Sequence, residues 1–352
     1  MIFIREYYVA LPADDRGRVA TIRIDLLEAD SMSLTGPPRP GTRMRLRLAL
    51  DLGSSADLRT QLARAESLCE AADEAGFESV WLGESYYRKA VPYHLPSSLI
   101  MLTHLATLTR LGLGTGVLLF RAYDPVKLAF DAAMVDQLSG GRLTLGIGLG
   151  GAGVSETLRK GRLPKDFFDD GLAALKQAWQ PGAGAGAVAT APPPFQAGGP
   201  KLLIGGSGVR AAERAARFAA GYLAATSFSD QLLRVRARQY LERCEAGPGE
   251  VAVNRLCVVR ENGGEARRLA REYMTPVSDL YERQGLWGAG PEMTADPSQG
   301  VVLAGTPQDV ASRIAEYESW GVTRVHLRAA PVGMPAQDAA ETMALISGEL
   351  AG

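Results

Sequence analysis

DQLSGGRLTLGIGLGG, Asp136 to Gly151, holds a helix end, a tight turn and a strand that runs into a glycine cluster. Leu138 closes an apolar helical pattern that begins near Pro125. Gly140 and Gly141 then supply positive-φ positions, which stop a helix at little steric cost. Leu143, Leu145 and Ile147 alternate with Thr144 and Gly146, the pattern of a short buried strand. Gly146, Gly148, Gly150 and Gly151 leave the backbone bare at that strand's far end. Two readings fit: a helix–strand connection that needs glycine for packing, or a surface where a flat or phosphorylated group approaches the main chain.

Outward from this stretch the pattern switches repeatedly between strand and helix. Strands are expected at Arg45–Leu50, Val80–Leu82, Leu111–Leu119, Leu143–Gly148, Leu202–Ile204, Tyr222–Ala225, Val251–Val259 and Val322–Leu327. Helical spacing follows each: from Leu58 with a Gly76 cap, at Leu99–Leu108, Pro125–Leu138, Phe167–Trp179, Val209–Phe218, Asp230–Glu245, Glu265–Tyr281, Pro307–Trp320 with Thr306 as N-cap, and Ala336–Leu350. Eight strand–helix pairs with mostly short connections argue for an α/β fold, a (β/α)8 TIM barrel. An irregular insertion with turn signals near Gly288–Pro291 precedes the last unit, and Gln180–Pro200 reads as a long surface loop. A doubly wound open sheet is the alternative.

Residues 1–44 stand apart as an N-terminal extension to a barrel domain at 45–352. Ile2–Leu11 and Val19–Leu27 read as strands joined by the Asp14–Gly17 turn signal, and Ser31–Thr42 as a linker. Either they form a hairpin appendage, or they are the poorly ordered product of an upstream start codon; the completeness of the remaining domain favours the second.

The 352 residues carry a formal net charge of −1, which favours neither nucleic acid nor an anionic membrane surface. Cys69, Cys244 and Cys257 are too far apart for a sequence-local disulfide or metal pair, so a reducing, cytoplasmic compartment is expected. The histidines His94, His104 and His326 form no metal-ligand spacing, and no metal site is expected. No apolar run reaches the ~18 residues of a membrane span.

In a barrel, chemistry sits at the C-terminal strand ends. These ends carry Asp51, Gly83–Glu84, Thr115–Gly116, Gly148–Gly151, Gly205–Gly208, Thr226–Ser227 and Arg328. In KLLIGGSGVRA, Lys201 to Ala211, a short strand runs through Gly205, Gly206, Ser207 and Gly208 into a helix. Glycine N–H groups and a helix N-terminus there suit a phosphate; an ordinary βα turn is the plainer reading. Gly206-x-Gly208-x-x-Ala211 also fits a loose dinucleotide fingerprint, but the next strand ends in Ala224-Ala225-Thr226, without the required acid. No G-x-x-x-x-G-K-[ST] sequence is present.

Asp136, Leu138, Ser139, Gly141 and Arg142 match a D-x-L-S-x-G-R pattern, and from Arg45 to Leu350 the chain resembles the bacterial luciferase-like flavin and deazaflavin oxidoreductases. GFESVW (76–81), LGTGV (113–117), DPVKLA (124–129), LIGGSG (203–208) and GTPQDVASRI (305–314) resemble successive family blocks in order. The resemblance implies a barrel that binds FMN or the deazaflavin F420, with phosphate at Gly205–Gly208, and a non-prolyl cis peptide at Gly116–Val117. It implies cofactor contacts from Asp51, Thr115, Gly116, Gly148, Gly150, Gly205, Gly206, Ser207, Gly208 and Thr226. Many members carry an acid–histidine pair after the second strand; here Glu84 keeps the acid and Ser85 replaces the histidine. Glu84, Tyr86 and His94 become the catalytic candidates, with His326 also in range. His104 reads as a core histidine on an apolar helix face. Tyr86, Tyr87, Tyr93 and Trp287 either wall an apolar substrate pocket or pack loops onto the barrel.

The expected function is a monooxygenase that uses reduced FMN from a separate flavin reductase, with O2, to oxidise a small organic substrate. The alternative is an F420-dependent dehydrogenase or reductase that transfers hydride. A non-catalytic barrel subunit is a third reading. A homodimer is expected by family analogy.

Overall fold

A computed structural model of the protein describes residues 4–10, 21–27, 44–52, 57–86, 95, 97–158, 161–180, 188–244, 249–277, 279 and 301–351. The chain divides into two units, Met1–Thr42 and Arg43–Gly352. In the first, β1 (Ile4–Ala10) pairs antiparallel with β2 (Thr21–Leu27), with Ile4 opposite Leu27 and Ala10 opposite Thr21. The turn signal at 14–17 and the linker at 31–42 lie outside the described residues.

The second unit is built on parallel strands: β3 (Arg45–Leu50), β4 (Ser79–Leu82), β5 (Gly112–Leu119), β6 (Leu143–Gly148), β7 (Lys201–Gly205), β8 (Gly221–Ala224), β9 (Glu250–Val259), β10 (Val302–Gly305) and β11 (Arg324–Ala330). β3 to β9 are neighbours in chain order, and β11 lies between β9 and β3, which closes an eight-stranded barrel. The expected (β/α)8 architecture is the one found, and each of the eight expected strands forms. β10 is an addition. It pairs with the outer part of β9, Val302 beside Leu256 and Gly305 beside Val259. Its sequence, Val-Leu-Ala-Gly, is too short for alternation to stand out. The turn signals near 288–291, within the expected insertion, lie outside the described residues.

Helices pack around the strands with local caps that the sequence announces. Asp57 Oδ1 accepts from the Arg59 and Thr60 N–H groups at the head of Leu58–Glu74. Thr306 and Asp309 cap Pro307–Ser319 reciprocally, as expected at Thr306. The apolar outer faces of the strands meet these helices in the main core, which includes Leu48, Leu113, Leu145, Ile204, Val253 and Leu327. A smaller core of Leu256, Val258, Leu269, Met274 and Val301 covers the outer part of β9.

The stretch that opened the sequence reading splits into two jobs. Gly140 (φ 64°) and Gly141 (φ 80°) turn the chain out of the helix Pro125–Ser139. Arg142 then donates to the carbonyls of Ser139, Thr109, Leu111 and Ala106, each at 2.7 Å. Asp136 accepts from Gln196 N–H (2.8 Å) and Gln196 Nε2 (2.7 Å). These groups fasten the chain ahead of β6, at the end of the barrel opposite the mouth. Leu138, read as closing the apolar face, is 60% exposed; the buried stripe of this helix runs through Leu128, Ala132 and Val135.

Candidate active site

Inward-facing side chains fill the barrel in layers, and the lowest is ionic. Arg47 on β3 donates to Glu250 Oε1 (2.6 Å) and Oε2 (3.1 Å) at the start of β9, and to Glu78 Oε2 (2.9 Å). Lys201 Nζ adds 2.7 Å to Glu250 Oε2, and Arg324 Nε 2.9 Å to Glu78 Oε2. Burial pushes both carboxyls up, but the Arg47 charge, with Lys201 at Glu250 and Arg324 at Glu78, holds each below the usual carboxylate range.

Above that layer His326 faces the lumen, fully buried, its ring centroid 4.3 Å from that of Trp81. Arg47 Nη1 lies 3.3 Å from His326 Nε2; a guanidinium only donates, so Nε2 accepts and Nδ1 carries the proton. Desolvation, then the Arg47 charge, drives the His326 pKa well below its ordinary value, so the ring is neutral. Among the described residues its Nδ1 has no hydrogen-bond partner, and neither has Oδ1 of Asn254, its register neighbour on β9. Trp81 fits because its neighbours are glycines: a Cβ on Gly114 would lie 2.2 Å from the indole. Trp81, Leu203, Leu223 and Ala252, with Val117 against them, make the dry middle of the barrel.

The mouth begins at Val117. The Gly116–Val117 peptide is cis, where the family resemblance put it. The Val117 side chain occupies the room over Gly148 and Gly205, which have space for no Cβ of their own (2.8 and 2.9 Å). At these two glycines a flat ligand therefore meets valine methyls rather than bare backbone. Across the mouth, Arg328 donates to Asp51 Oδ1 (2.7 Å) and Thr226 Oγ1 (3.2 Å), linking the expected residues Asp51 and Thr226. Arg64 lies close enough to Asp51 to feel its charge.

Gly205–Gly208 forms the expected glycine turn at the head of Val209–Phe218. Gly206 has φ 152° and its carbonyl accepts from Tyr222 Oη (2.6 Å); the Ser207 carbonyl accepts from Arg236 Nε (2.8 Å). Ser207 and Gly208 are exposed, and no side chain caps the helix. The turn is thus held from its carbonyl side, and among the described residues its exposed helix end has no side-chain cap, a setting that would suit a phosphate. Gly150 (φ 84°) lies past β6, its carbonyl accepting from Arg121 Nε at 2.9 Å.

Glu84 is buried and its carboxylate is fully engaged. Oε1 accepts from Ser98 N (3.1 Å), Ser98 Oγ (3.0 Å) and Tyr123 Oη (2.5 Å); Oε2 accepts from Leu119 N (2.8 Å). Burial still pushes its pKa above the usual value, against those hydrogen bonds. Tyr86 is half-buried, and desolvation together with the Glu84 charge pushes its phenol up to about 12.

Two sequence expectations need correction. Thr115 is fully buried, with its hydroxyl on the Gly146 carbonyl (2.8 Å); Gly114 and Gly116 on either side face the lumen, so Thr115 faces the helices and its side chain offers the mouth nothing. His104 is no core histidine: it is exposed, 3.0 Å from Glu66, because the apolar face of its helix is carried by Leu99, Met101, Leu102 and Leu105. His94, Tyr87, Tyr93 and Trp287 lie outside the described residues. Tyr123, Arg121 and Arg236 at this end of the barrel were not legible as site residues, and Val117 was marked only through the expected cis peptide. Tyr123 had a weaker signal, standing directly before the family block at 124–129.

The fold is an α/β barrel with its candidate site at the mouth, and its kind follows from comparison with known proteins. Residues 44–324 match the family described as luciferase-like monooxygenase, and the chain belongs to that family. The oxygenase component of a flavin-dependent trigonelline monooxygenase from Acinetobacter baylyi is 34% identical over 112 residues, 30% of this chain and 30% of that protein. The chain therefore aligns with less than a third of that relative's length. The oxygenating constituent of 3,6-diketocamphane monooxygenase from Pseudomonas putida, solved with FMN, superposes with a TM-score of 0.71 at 18% identity, covering 88% of this chain and 98% of that one. The coenzyme F420-dependent tetrahydromethanopterin reductase of Methanopyrus kandleri gives 0.63 at 18% identity, over 87% and 98%.

Proposed function

We propose that the protein is the oxygenase of a two-component system that takes reduced FMN from a separate reductase and uses O2 to oxidise a small organic substrate. The observation that carries this reading is the glycine turn Gly205–Gly208 with its uncapped helix, beside a mouth whose lower layers are closed by side chains. The flavin-dependent oxygenase component among the relatives supports FMN over a hydride-transferring deazaflavin.

Bound reduced flavin would supply the reaction with O2. The chain's own residues bind, orient and exclude water. The Val209–Phe218 N-terminus and the Gly206–Gly208 backbone would hold the phosphate. Val117, resting on Trp81 and Leu203, would give the ring a dry seat. The Asp51–Arg328–Thr226 bridge would fix polar groups at its edge.

Anaerobic titration with reduced FMN, and separately with reduced F420, tests this by fluorescence or calorimetry. Tight binding of reduced FMN with oxygen consumption on aeration is the expected result. Binding of F420 alone moves the assignment to hydride transfer, and binding of neither removes the enzyme.

A further inference from the structure

Among the described residues, six buried side-chain atoms have no hydrogen-bond partner, and they sort by place. Asp230 Oδ1 and Arg255 Nη2 face each other at 3.6 Å as an ion pair. Ser155 and Thr190 lie outside the barrel strands. The remaining two, His326 Nδ1 and Asn254 Oδ1, meet in the lumen. His326 is level with Asn254 in the parallel pairing of β11 with β9. Ala252 and Asn254 are alternate residues of β9, so Asn254 takes the lumen face on which Ala252 packs. His326 is on that face too, stacked on Trp81. Adjacent strands lie about 4.8 Å apart, so the two side chains are immediate neighbours. His326 supplies an unmatched donor, because Arg47 occupies Nε2 and leaves the proton on Nδ1. Asn254 Oδ1 supplies an unmatched acceptor. The pair stands close enough to share one small molecule, yet makes no direct bond.

We propose that His326 and Asn254 form a binding site for one hydroxyl group, the smallest group that accepts from Nδ1–H and donates to Oδ1 at once. The hydroxyl belongs either to a water molecule or to a molecule seated in the mouth. His326 is fully enclosed while Asn254 keeps 9% exposure, so the site lies where the dry middle of the barrel meets the mouth and fills from there. Leaving a donor and an acceptor unmatched inside the barrel costs more than immobilising one small polar molecule, which is why the hydroxyl stays. Only hydrogen bonds form, and no proton changes its owner. The site does not depend on which cofactor the mouth receives.

The test is a high-resolution crystal structure of the full chain, ligand-free and again with FMN. In the ligand-free crystal a solvent peak within about 3.2 Å of both His326 Nδ1 and Asn254 Oδ1 is expected. A peak that persists with FMN assigns the hydroxyl to water; its replacement by a hydroxyl of the flavin side chain assigns it to the ligand. No such oxygen in either crystal, or a direct hydrogen bond from Nδ1 to Oδ1, overturns the site. Urea unfolding of His326→Phe, Asn254→Leu and the double variant reads the same contact in solution. Each single change strands the other partner, so the double variant should raise the unfolding constant about tenfold less than the two single effects multiplied together. Strict additivity overturns the shared hydroxyl. Failure of the wild type to bind FMN removes the proposed function, while the ligand-free crystal and the unfolding cycle still decide the site.

Discussion

Arg328 Nη2 lies 2.7 Å from Asp51 Oδ1, so the last strand of the barrel is tied to the first by an ion pair at the mouth. Both side chains are mostly buried, at 9% and 14% exposure, so solvent screens the pair little. Asp51→Asn keeps the shape and removes the charge. It should lower unfolding free energy by about 1–3 kcal/mol, the usual penalty for a buried group left short of its partner. Urea unfolding measures the loss, and flavin titration should show weaker binding in the same variant.

Gly206 has φ 152°, and a Cβ there would lie 2.9 Å from the Ala211 Cβ. Gly206→Ala should cost about 1–3 kcal/mol in stability and weaken binding of a phosphorylated flavin more than that of riboflavin. Gly208→Ala is the control: φ is −78° and nothing lies within 4 Å of its Cβ position. Its stability should stay within about 0.5 kcal/mol of wild type.

Gly114→Ala should be the most damaging of these changes, because its methyl would enter the Trp81 ring inside a closed barrel. A loss of about 3 kcal/mol or more is expected by chemical unfolding. Trp81→Leu in the same chain should recover part of it; strict additivity of the two changes would mean that the contact does not set the cost.

The pH dependence of stability should carry a His326 limb. The folded-state pKa is lowered, so between that value and the ordinary ~6.5 the unfolded chain binds more protons. The His326 contribution is then fully present above ~6.5 and is lost as pH falls, at up to ~1.4 kcal/mol per unit. Glu250 and Glu78, also lowered, add the same sign below the ordinary carboxylate range of ~4.3. Glu84, raised, contributes with the opposite sign. Unfolding free energy measured from pH 7 to 5 should fall less steeply in His326→Gln than in wild type.

Thiol labelling should be selective. Burial pushes both Cys69 and Cys257 thiols up to about 12, while Cys244 is only half-buried. A small maleimide at neutral pH should modify Cys244 first and the other two only on unfolding, read by intact mass.

The fold was legible because its signals are local and repeated. Alternation at Arg45–Leu50 and Leu143–Gly148, helical spacing between them and glycines at strand ends report on near neighbours in the chain. β10 escaped because four residues carry too little period. The site was legible where glycine or a strand-end charge marked it, as at Gly205–Gly208, Asp51 and Arg328. It was misread at Thr115, because a strand end is visible in sequence but the face its side chain takes is set by register. The bond from Tyr123 to Glu84 joins residues 39 positions apart and depends on how two loops cross, for which a single sequence holds no pattern. The glycines of β6 and β7 read as a bare floor; the side chain that covers them comes from β5.

β9 outruns its neighbour. Ala224 at the end of β8 is level with Val253, yet β9 continues to Val259 with β10 alongside, roughly 20 Å farther along the wall at ~3.3 Å per residue. The rim is therefore uneven: on the β9 side protein stands well above the level at which β8 stops. Anything seated at the mouth would be shielded from solvent on that flank and open on the other.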